Sequence, residues 1–160
     1  MDAPAIVALE AARIDELREL WLALHRAHGV NAAVPLQPDE ELSWRVRRRD
    51  YLDWLGAGTA FLIAAERSSQ LVGYALTRIH EGEGDSFDLG ARHAEVYSLS
   101  VAPEERGRGI GGMLLDAVDR ELERRGITKL MIAVMAWNDG ARRLYERRGF
   151  VPGEIVMIRP

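Results

Sequence analysis

The segment 106–112 has the residue types and the spacing of a binding site for a phosphate anion. Its residues are Arg106, Gly107, Arg108, Gly109, Ile110, Gly111 and Gly112. Glycine lets the backbone approach a ligand closely, and the first N–H groups of a helix have no partner within it, so a helix that begins here would attract an anion. The two guanidinium groups add cationic donors, which suits the paired charges of a pyrophosphate. Glycines at a helix start each cost about 1 kcal/mol relative to alanine, so a tight turn alone explains this segment poorly.

Two other phosphate-binding patterns match this segment only in part. Gly107, Gly109 and Gly112 satisfy the spacing G-x-G-x-x-G of dinucleotide-binding folds. Those folds end the next strand in an acidic residue, whereas the corresponding strand here leads into Met135. A loop that binds a nucleoside triphosphate needs Lys-Ser or Lys-Thr after its last glycine, and Met113 stands there instead. The context therefore disfavours both ligands.

A strand should precede this segment and a helix should follow it, because the spacing of apolar residues changes there from two to between three and four. The predicted strands cover residues 5–9, 61–65, 71–79, 95–101, 129–134 and 155–158, and the predicted helices cover 14–29, 39–55, 110–125 and 139–148. The order is therefore β-α-α-β-β-β-α-β-α-β. Such an order indicates an α/β (α+β) fold with a mixed, mainly antiparallel sheet flanked by helices.

Length and composition exclude several classes of protein. The chain has 160 residues, 48% of them hydrophobic, and a net charge of -4, which favours one domain over residues 1–160 and gives no reason to expect nucleic-acid binding. It has no cysteine, which excludes disulfides, thiolate metal sites and a cysteine nucleophile, and no metal site is expected. No apolar stretch is long enough to span a membrane and no secretion signal begins the chain, so we expect a soluble, cytoplasmic protein without a membrane partner.

Two ordered motifs resemble those of the GNAT superfamily, the acetyl-CoA-dependent N-acetyltransferases. In the first motif, Arg/Gln-x-x-Gly-x-Gly/Ala opens a helix after a strand, and Arg106, Gly109 and Gly111 match it. In the second, an asparagine, a helix with a tyrosine and a Gly-Phe pair follow one another, and residues 137–150 match this order. The resemblance extends over residues 60–158, whereas the first two helices agree only in number and order.

The resemblance implies a GNAT-like acyl-CoA N-acyltransferase fold whose central strands splay apart, with acetyl-CoA bound between them. Leu99 and Val101 would pair through their main chains with the pantetheine amides, where their strand parts from the next one. The pyrophosphate would lie on the N–H groups of the segment 106–112. Asn138 would hold the pantetheine arm or fix the end of the splayed strand. Members of the family are often dimers, so a homodimer is a further expectation.

The resemblance also implies an enzyme that moves the acetyl group of acetyl-CoA directly to a primary amine, of a small molecule or of a peptide or protein, in a ternary complex. Tyr145 occupies the position of the family's tyrosine and would protonate, or donate a hydrogen bond to, the departing thiolate. Glu95 is the predicted general base, with His93 or a chain of water molecules as alternatives. Strand alternation would place His93, Glu95, Tyr97 and Leu99 on one face.

The acceptor side is predicted from topology alone. We expect the loop 29–38, the second helix and the acidic segment 81–88 to border the acceptor. Acidic side chains there would attract a cationic amine, but a charged loop is more typically just solvated, and this second interpretation is favoured. Trp44 and Tyr51 would share a helix face, which is typical of a core or dimer contact. The alternative function is a non-catalytic, regulatory acyl-CoA-binding module on the same fold. Acetyl-CoA binding without thiol release for any amine would identify it.

Overall fold

The secondary structure follows the predicted order along most of the chain, in a computed structural model that describes residues 3–82 and 87–159. The strands are β1 (Ala5–Ala8), β2 (Ala60–Arg67), β3 (Gln70–Glu81), β4 (Arg92–Val101) and β5 (Leu130–Ile132). The α-helices are α1 (Arg18–Gly29), α2 (Glu40–Gly56), α3 (Ile110–Arg124) and α4 (Asp139–Arg147). Two short 3-10 helices, Ala11–Leu17 and Pro103–Glu105, lie before α1 and α3.

The five strands form one mixed sheet in the order β1-β2-β3-β4-β5. The first four strands are antiparallel to their neighbours, and β5 lies parallel to β4. A parallel neighbour requires a crossover connection, which α3 provides. The predicted fold, a mixed and mainly antiparallel sheet flanked by helices, is therefore confirmed.

Two hydrophobic clusters cover opposite faces of this sheet. α3 contributes Leu114 and Val118 to one cluster, and α1 and α2 contribute Leu22, Trp44 and Tyr51 to the other. Alternate residues of β2 divide between the clusters, with Phe61, Ile63 and Ala65 in the first and Ala60, Leu62 and Ala64 in the second. Trp44 and Tyr51 are both buried, so the predicted core position on α2 is confirmed.

A β-bulge interrupts the pairing of β3 with β4. Leu76 pairs with Ser98 and Thr77 pairs with Val96, so Tyr97 is an extra residue on β4 with no opposite residue on β3. A bulge of this kind reverses the alternation of side chains beyond it.

The bulge changes the face on which Leu99 lies. On the N-terminal side of the bulge, Val96 belongs to the cluster on the α3 side, so its neighbour Glu95 faces α1 and α2. Beyond it, Leu99 and Val101 also pack against the α3-side cluster. The prediction that Leu99 shares a face with Glu95 is therefore wrong, because strict alternation takes no account of the inserted residue.

The two parallel strands separate halfway along β4. β5 pairs only with Ala94, Glu95 and Val96. From Tyr97 to Val101, β4 pairs with β3 on one side and, within the described part of the chain, with no strand on the other. The sheet thus has an opening next to the bulge, as the splayed arrangement predicts.

Two of the predicted strands differ from those observed. β5 is shorter than the predicted strand 129–134, and residues 151–159 form neither helix nor strand, so the predicted strand 155–158 is wrong. A short strand needs a neighbour to be stable, and no described strand pairs with these residues. Ile155 and Met157 are 82% and 86% exposed. Part of the predicted acidic segment, residues 83–86, lies outside the described residues.

Candidate functional site

The start of α3 exposes its backbone to the opening beside β4. Gly109 caps the helix in a left-handed conformation with φ of 81°, and Gly107 has φ of 75°. No side chain caps this helix, whereas Asp39 caps α2 and Asn138 caps α4. A Cβ atom built at Gly107 or Gly109 would meet nothing within 4 Å. Residues 107–109 are exposed, and among the described residues no side chain caps the first N–H groups of α3, which leaves them available to an anion.

Both arginines of the glycine-rich segment have partners within the protein. The Nε–H of Arg106 donates to the carbonyl oxygen of Val101 at 3.1 Å, which ties the segment to the end of β4. The guanidinium of Arg108 lies 3.2 Å from Glu105, a carboxylate that also pairs with Arg67 at 2.5 Å. These contacts fix the conformation of the segment, to which the two arginines also add positive charge.

The remaining residues of the segment serve helix packing. Ile110 is 1% exposed and belongs to the α3-side cluster. A Cβ atom at Gly111 would lie 3.4 Å from a methyl group of Leu144 on α4, and one at Gly112 would lie 3.9 Å from Arg148. Both glycines therefore lie where α3 packs beside α4, and a Cβ atom at either would make an ordinary van der Waals contact.

Leu99 and Val101 border the opening between β4 and β5, and Asn138 caps the helix that follows β5 along the chain. The first two pair with β3 opposite Ala75 and Gly73, and their other main-chain edge has no strand beside it within the described residues. The side-chain oxygen of Asn138 accepts a hydrogen bond from the N–H of Ala141 at 3.1 Å. Asn138 thus fixes the start of α4.

Tyr145 lies on the α3 side of the sheet. It is 8% exposed, and its ring centroid lies 5.9 Å from that of Phe150. Burial raises the pKa of its phenol to about 12, so the phenol stays protonated at neutral pH. Among the described residues, none forms a hydrogen bond with its hydroxyl group. The proton of this phenol is therefore free for a ligand.

Glu95 lies on the opposite face, in a small cluster with two histidines. Its carboxylate is 3.0 Å from Nε2 of His80. The rings of His80 and His93 stack with centroids 4.9 Å apart. Burial, and then the proximity of His80, lowers the pKa of His93, and its Nδ1 is buried without a hydrogen-bond partner in the described structure. Glu95 thus has an imidazole partner on its own face.

Two further arginines lie near Glu95, and the sequence patterns did not identify them. Arg47 of α2 stacks on Trp21 at 4.1 Å from the ring centroid and on Tyr97 at 4.7 Å. Arg78, opposite Glu95 on β3, stacks on Trp54 at 4.2 Å. These contacts join segments far apart in the sequence, so no local spacing could reveal them.

A pocket of about 270 Å³ opens between α1 and α2, beside Arg47. Its lining residues are Trp21, Gln37, Leu42, Ser43, Val46, Arg47 and Asp50. Gln37 comes from the loop that was predicted to border the acceptor, and the others come from α1 and α2. Within the described residues, no group of acidic and histidine side chains could hold a metal ion, and no helix is long and apolar enough to cross a membrane.

The fold is that of an α/β domain in which two parallel strands separate beside the glycine-rich start of a helix. Residues 14–150 match the model of the acetyltransferase (GNAT) family, and the chain belongs to that family. The resemblance seen in the two motifs is thereby confirmed.

Curated relatives and solved structures agree with this assignment. A mycothiol acetyltransferase of Thermobispora bispora is 38% identical over 146 residues, which cover 88% of this chain and 45% of that protein. A mycothiol acetyltransferase of Salinispora tropica is 36% identical over 92% of this chain and 45% of its own length. The chain thus spans less than half the length of these relatives. A predicted acetyltransferase of Clostridium acetobutylicum, solved with acetyl-CoA, shares the fold with a TM-score of 0.76 at 17% identity, over 98% of this chain and 95% of that one.

Proposed function

We propose that this domain transfers the acetyl group of acetyl-CoA to a primary amine in a ternary complex, without a covalent enzyme intermediate. The observation that carries the proposal is the uncapped, glycine-rich start of α3 beside the unpaired half of β4. A pyrophosphate and an amide-containing arm joined to it need these two features side by side.

Acetyl-CoA supplies an activated thioester, and the chain supplies the groups that hold and orient it. The N–H groups of residues 107–112 bind the pyrophosphate, and the main chain of Leu99 and Val101 pairs with the pantetheine amides. Arg106 holds the loop against Val101, and Asn138 holds the start of α4.

Tyr145 acts as the hydrogen-bond donor to the departing sulfur. A phenol with a pKa of about 12 remains protonated over the working range of an enzyme, and its hydroxyl has no competing partner among the described residues. A positioned acid typically contributes about 10²-fold or more to a rate.

Glu95 acts as the general base that takes a proton from the incoming amine. It lies two residues before the β4 residues that border the opening, and His80 holds its carboxylate through a 3.0 Å contact. The lowered pKa of His93 keeps that imidazole neutral at neutral pH. His93 is therefore the alternative general base if Glu95 does not take the proton.

The acceptor is a small molecule. Support comes from the pocket of about 270 Å³ beside Arg47, which suits a small group, and from relatives named for the acetylation of mycothiol. These relatives are about twice as long as this chain, so the proposal covers only a small-molecule acceptor and does not extend to mycothiol.

A thiol-release assay tests the proposed reaction. Purified protein and acetyl-CoA are incubated with amines, amino acids, polyamines, aminoglycosides and peptides, and free coenzyme A is measured. We expect release with at least one class, and an about 10²-fold lower kcat for Glu95→Gln. His93→Gln is the matched variant. If His93→Gln abolishes activity and Glu95→Gln does not, the histidine is the base.

Ligand binding is tested separately by thermal unfolding. Acetyl-CoA at about 100 times its Kd should add about 2.7 kcal/mol, which corresponds to roughly 5–10 °C for a domain of this size. NAD is the control ligand. Stabilisation by acetyl-CoA without thiol release in any assay would support the regulatory module instead, and no stabilisation would contradict the cofactor assignment.

A further inference from the structure

Two guanidinium groups near Glu95 have no carboxylate partner among the residues that the structure describes. Most arginines of this chain form ion pairs with acidic side chains, but Arg47 and Arg78 contact aromatic rings instead. Apart from ring contacts, neither arginine forms an ion pair or a side-chain hydrogen bond within the described residues. Both side chains are half-buried, and Nε of Arg78 is fully buried without a hydrogen-bond partner.

Aromatic rings fix the positions of these two cations. Tyr97 lies between them, with its ring centroid 4.7 Å from Cζ of Arg47 and 5.8 Å from Cζ of Arg78. Trp21 covers Arg47 at 4.1 Å, and Trp54 covers Arg78 at 4.2 Å and contacts Tyr97 edge to face. A guanidinium that stacks on a ring keeps its N–H donors in its own plane, where they can bind a carboxylate or a phosphate in a bidentate manner.

The pocket beside Arg47 carries an uncompensated positive charge. Asp50 is the acidic residue among its lining side chains, and this carboxylate already pairs with Arg49 at 2.8 Å. Arg47 lines the same pocket without such a pair. A half-buried cation without a counter-charge is costly, and an anion from outside the chain would offset that cost.

The same two cations lie close to the predicted base. Arg78 is the cross-strand partner of Glu95, and Tyr97 follows Glu95 by two residues on the same face of β4. Side chains of directly opposite residues in a sheet are about 5 Å apart at their Cβ atoms. An anion bound here would hold a nearby amino group at Glu95.

We infer that the acceptor is an amine that also bears an anionic group, a carboxylate or a phosphate, and that Arg47 and Arg78 bind this group. The inference rests on the proposed function and narrows its acceptor. It differs from the cationic amine that the acidic segment 81–88 would attract.

Matched amines test this selectivity. Amino acids are compared with their carboxamides, and phosphoethanolamine is compared with ethanolamine, by kcat/KM in the thiol-release assay. Charge-assisted hydrogen bonds of this kind favour the anionic member by on the order of ten- to a hundredfold. The first pair reports on carboxylate and the second on phosphate. Equal or better use of the neutral amines, or of spermidine, would overturn the inference and leave the proposed reaction standing.

Variants locate the selectivity. Arg47→Gln and Arg78→Gln should each reduce the preference for the anionic amine, measured as the ratio of the two kcat/KM values, about tenfold or more. Arg47→Lys keeps the charge but not the planar donors, so it should restore only part of the preference. Arg45→Gln, an exposed position on the same helix, removes one charge as the matched control. An unchanged preference in Arg47→Gln, in a protein whose melting temperature is unchanged, would contradict the role of Arg47.

Binding can be measured without catalysis. Trp21 and Trp54 contact the two guanidinium groups, so anion binding should change the tryptophan fluorescence of the wild-type protein. Titration with inorganic phosphate and with an N-acetylated amino acid should give saturable changes that Arg47→Gln weakens. If both anions bind saturably but no amine supports thiol release, the proposed reaction is contradicted and the anion site is not. No binding by either probe would overturn the anion site itself.

Discussion

At the level of single residues, Tyr145 is buried, and its hydroxyl group forms no hydrogen bond with any described residue. Burial raises the pKa of its phenol to about 12, so the group is a proton donor and not a phenolate at any pH near neutrality. Its ring meanwhile packs against Phe150 in the α3-side cluster. Removal of the hydroxyl alone should therefore affect chemistry and spare the core.

We expect Tyr145→Phe to lower kcat by about 10²-fold with little change in the KM for acetyl-CoA. The free energy of unfolding should change by less than about 1 kcal/mol, because the hydroxyl has no partner to lose within the described chain. Steady-state kinetics and urea unfolding measure the two quantities. A kcat equal to that of the wild type would exclude Tyr145 as the donor.

His93 makes the stability depend on pH. Its pKa in the folded protein lies below the ordinary value of 6.5, mainly because of burial. As the pH falls below that value, the unfolded chain binds the proton first, so stability is lost from about pH 6.5 down through the folded pKa. Burial shifts His28 in the same direction.

We therefore expect the free energy of unfolding to be lower at about pH 5 than at about pH 7.5, and His93→Gln to reduce that difference. Urea unfolding at the two pH values measures it. His28→Gln serves as the comparison, since His28 lies on α1, away from Glu95. A pH difference that is the same in His93→Gln as in the wild type would contradict this account.

At the level of elements, α3 begins with a glycine where α2 and α4 begin with a capping side chain. Gly109 has φ of 81° and Gly126, just after the end of α3, has φ of 69°. A Cβ atom at either position would meet nothing within 4 Å. The two glycines therefore carry the same conformational strain on substitution, at opposite ends of one helix.

This symmetry provides a controlled test of the phosphate site. Gly109→Ala and Gly126→Ala should each cost about 1–2 kcal/mol of stability, because alanine resists a left-handed conformation. Only Gly109→Ala places a methyl group where the pyrophosphate would approach, so only this variant should raise the KM for acetyl-CoA, by about tenfold or more. Equal KM values for the two variants would place the pyrophosphate elsewhere.

At the level of the whole molecule, one sheet separates two cores. Leu114 is fully buried on the α3 side and Leu22 on the side of α1 and α2. The side chain of Tyr51 extends from α2 to the sheet. Its hydroxyl donates to Ser98 on β4 at 2.5 Å and lies 3.1 Å from the hydroxyl of Tyr74 on β3. The strands belong to both cores at once, so neither core should unfold alone.

We expect one cooperative unfolding transition, in agreement with the predicted single domain. Leu22→Ala and Leu114→Ala should each lower the free energy of unfolding by about 2–5 kcal/mol and leave the transition single. Calorimetry together with circular dichroism measures this. Two resolved transitions, with each variant lowering a different one, would show that the two sides unfold independently.

The sequence by itself determined the order of the elements as far as α4, the glycine-rich helix start and the family. These depend on interactions within a few residues: apolar spacing, φ preferences and the need for backbone partners at helix ends. Gly109, Asn138 and the end of α3 at Gly126 were predictable for that reason.

The tertiary structure alone decided which side chains meet. The bulge at Tyr97 moved Leu99 to the other face, and the segment 155–158 formed no strand because no neighbour pairs with it. Arg47 and Arg78 came together on either side of Tyr97 from α2 and β3. Such contacts join residues tens of positions apart, and their energy depends on how packed elements meet rather than on any local pattern.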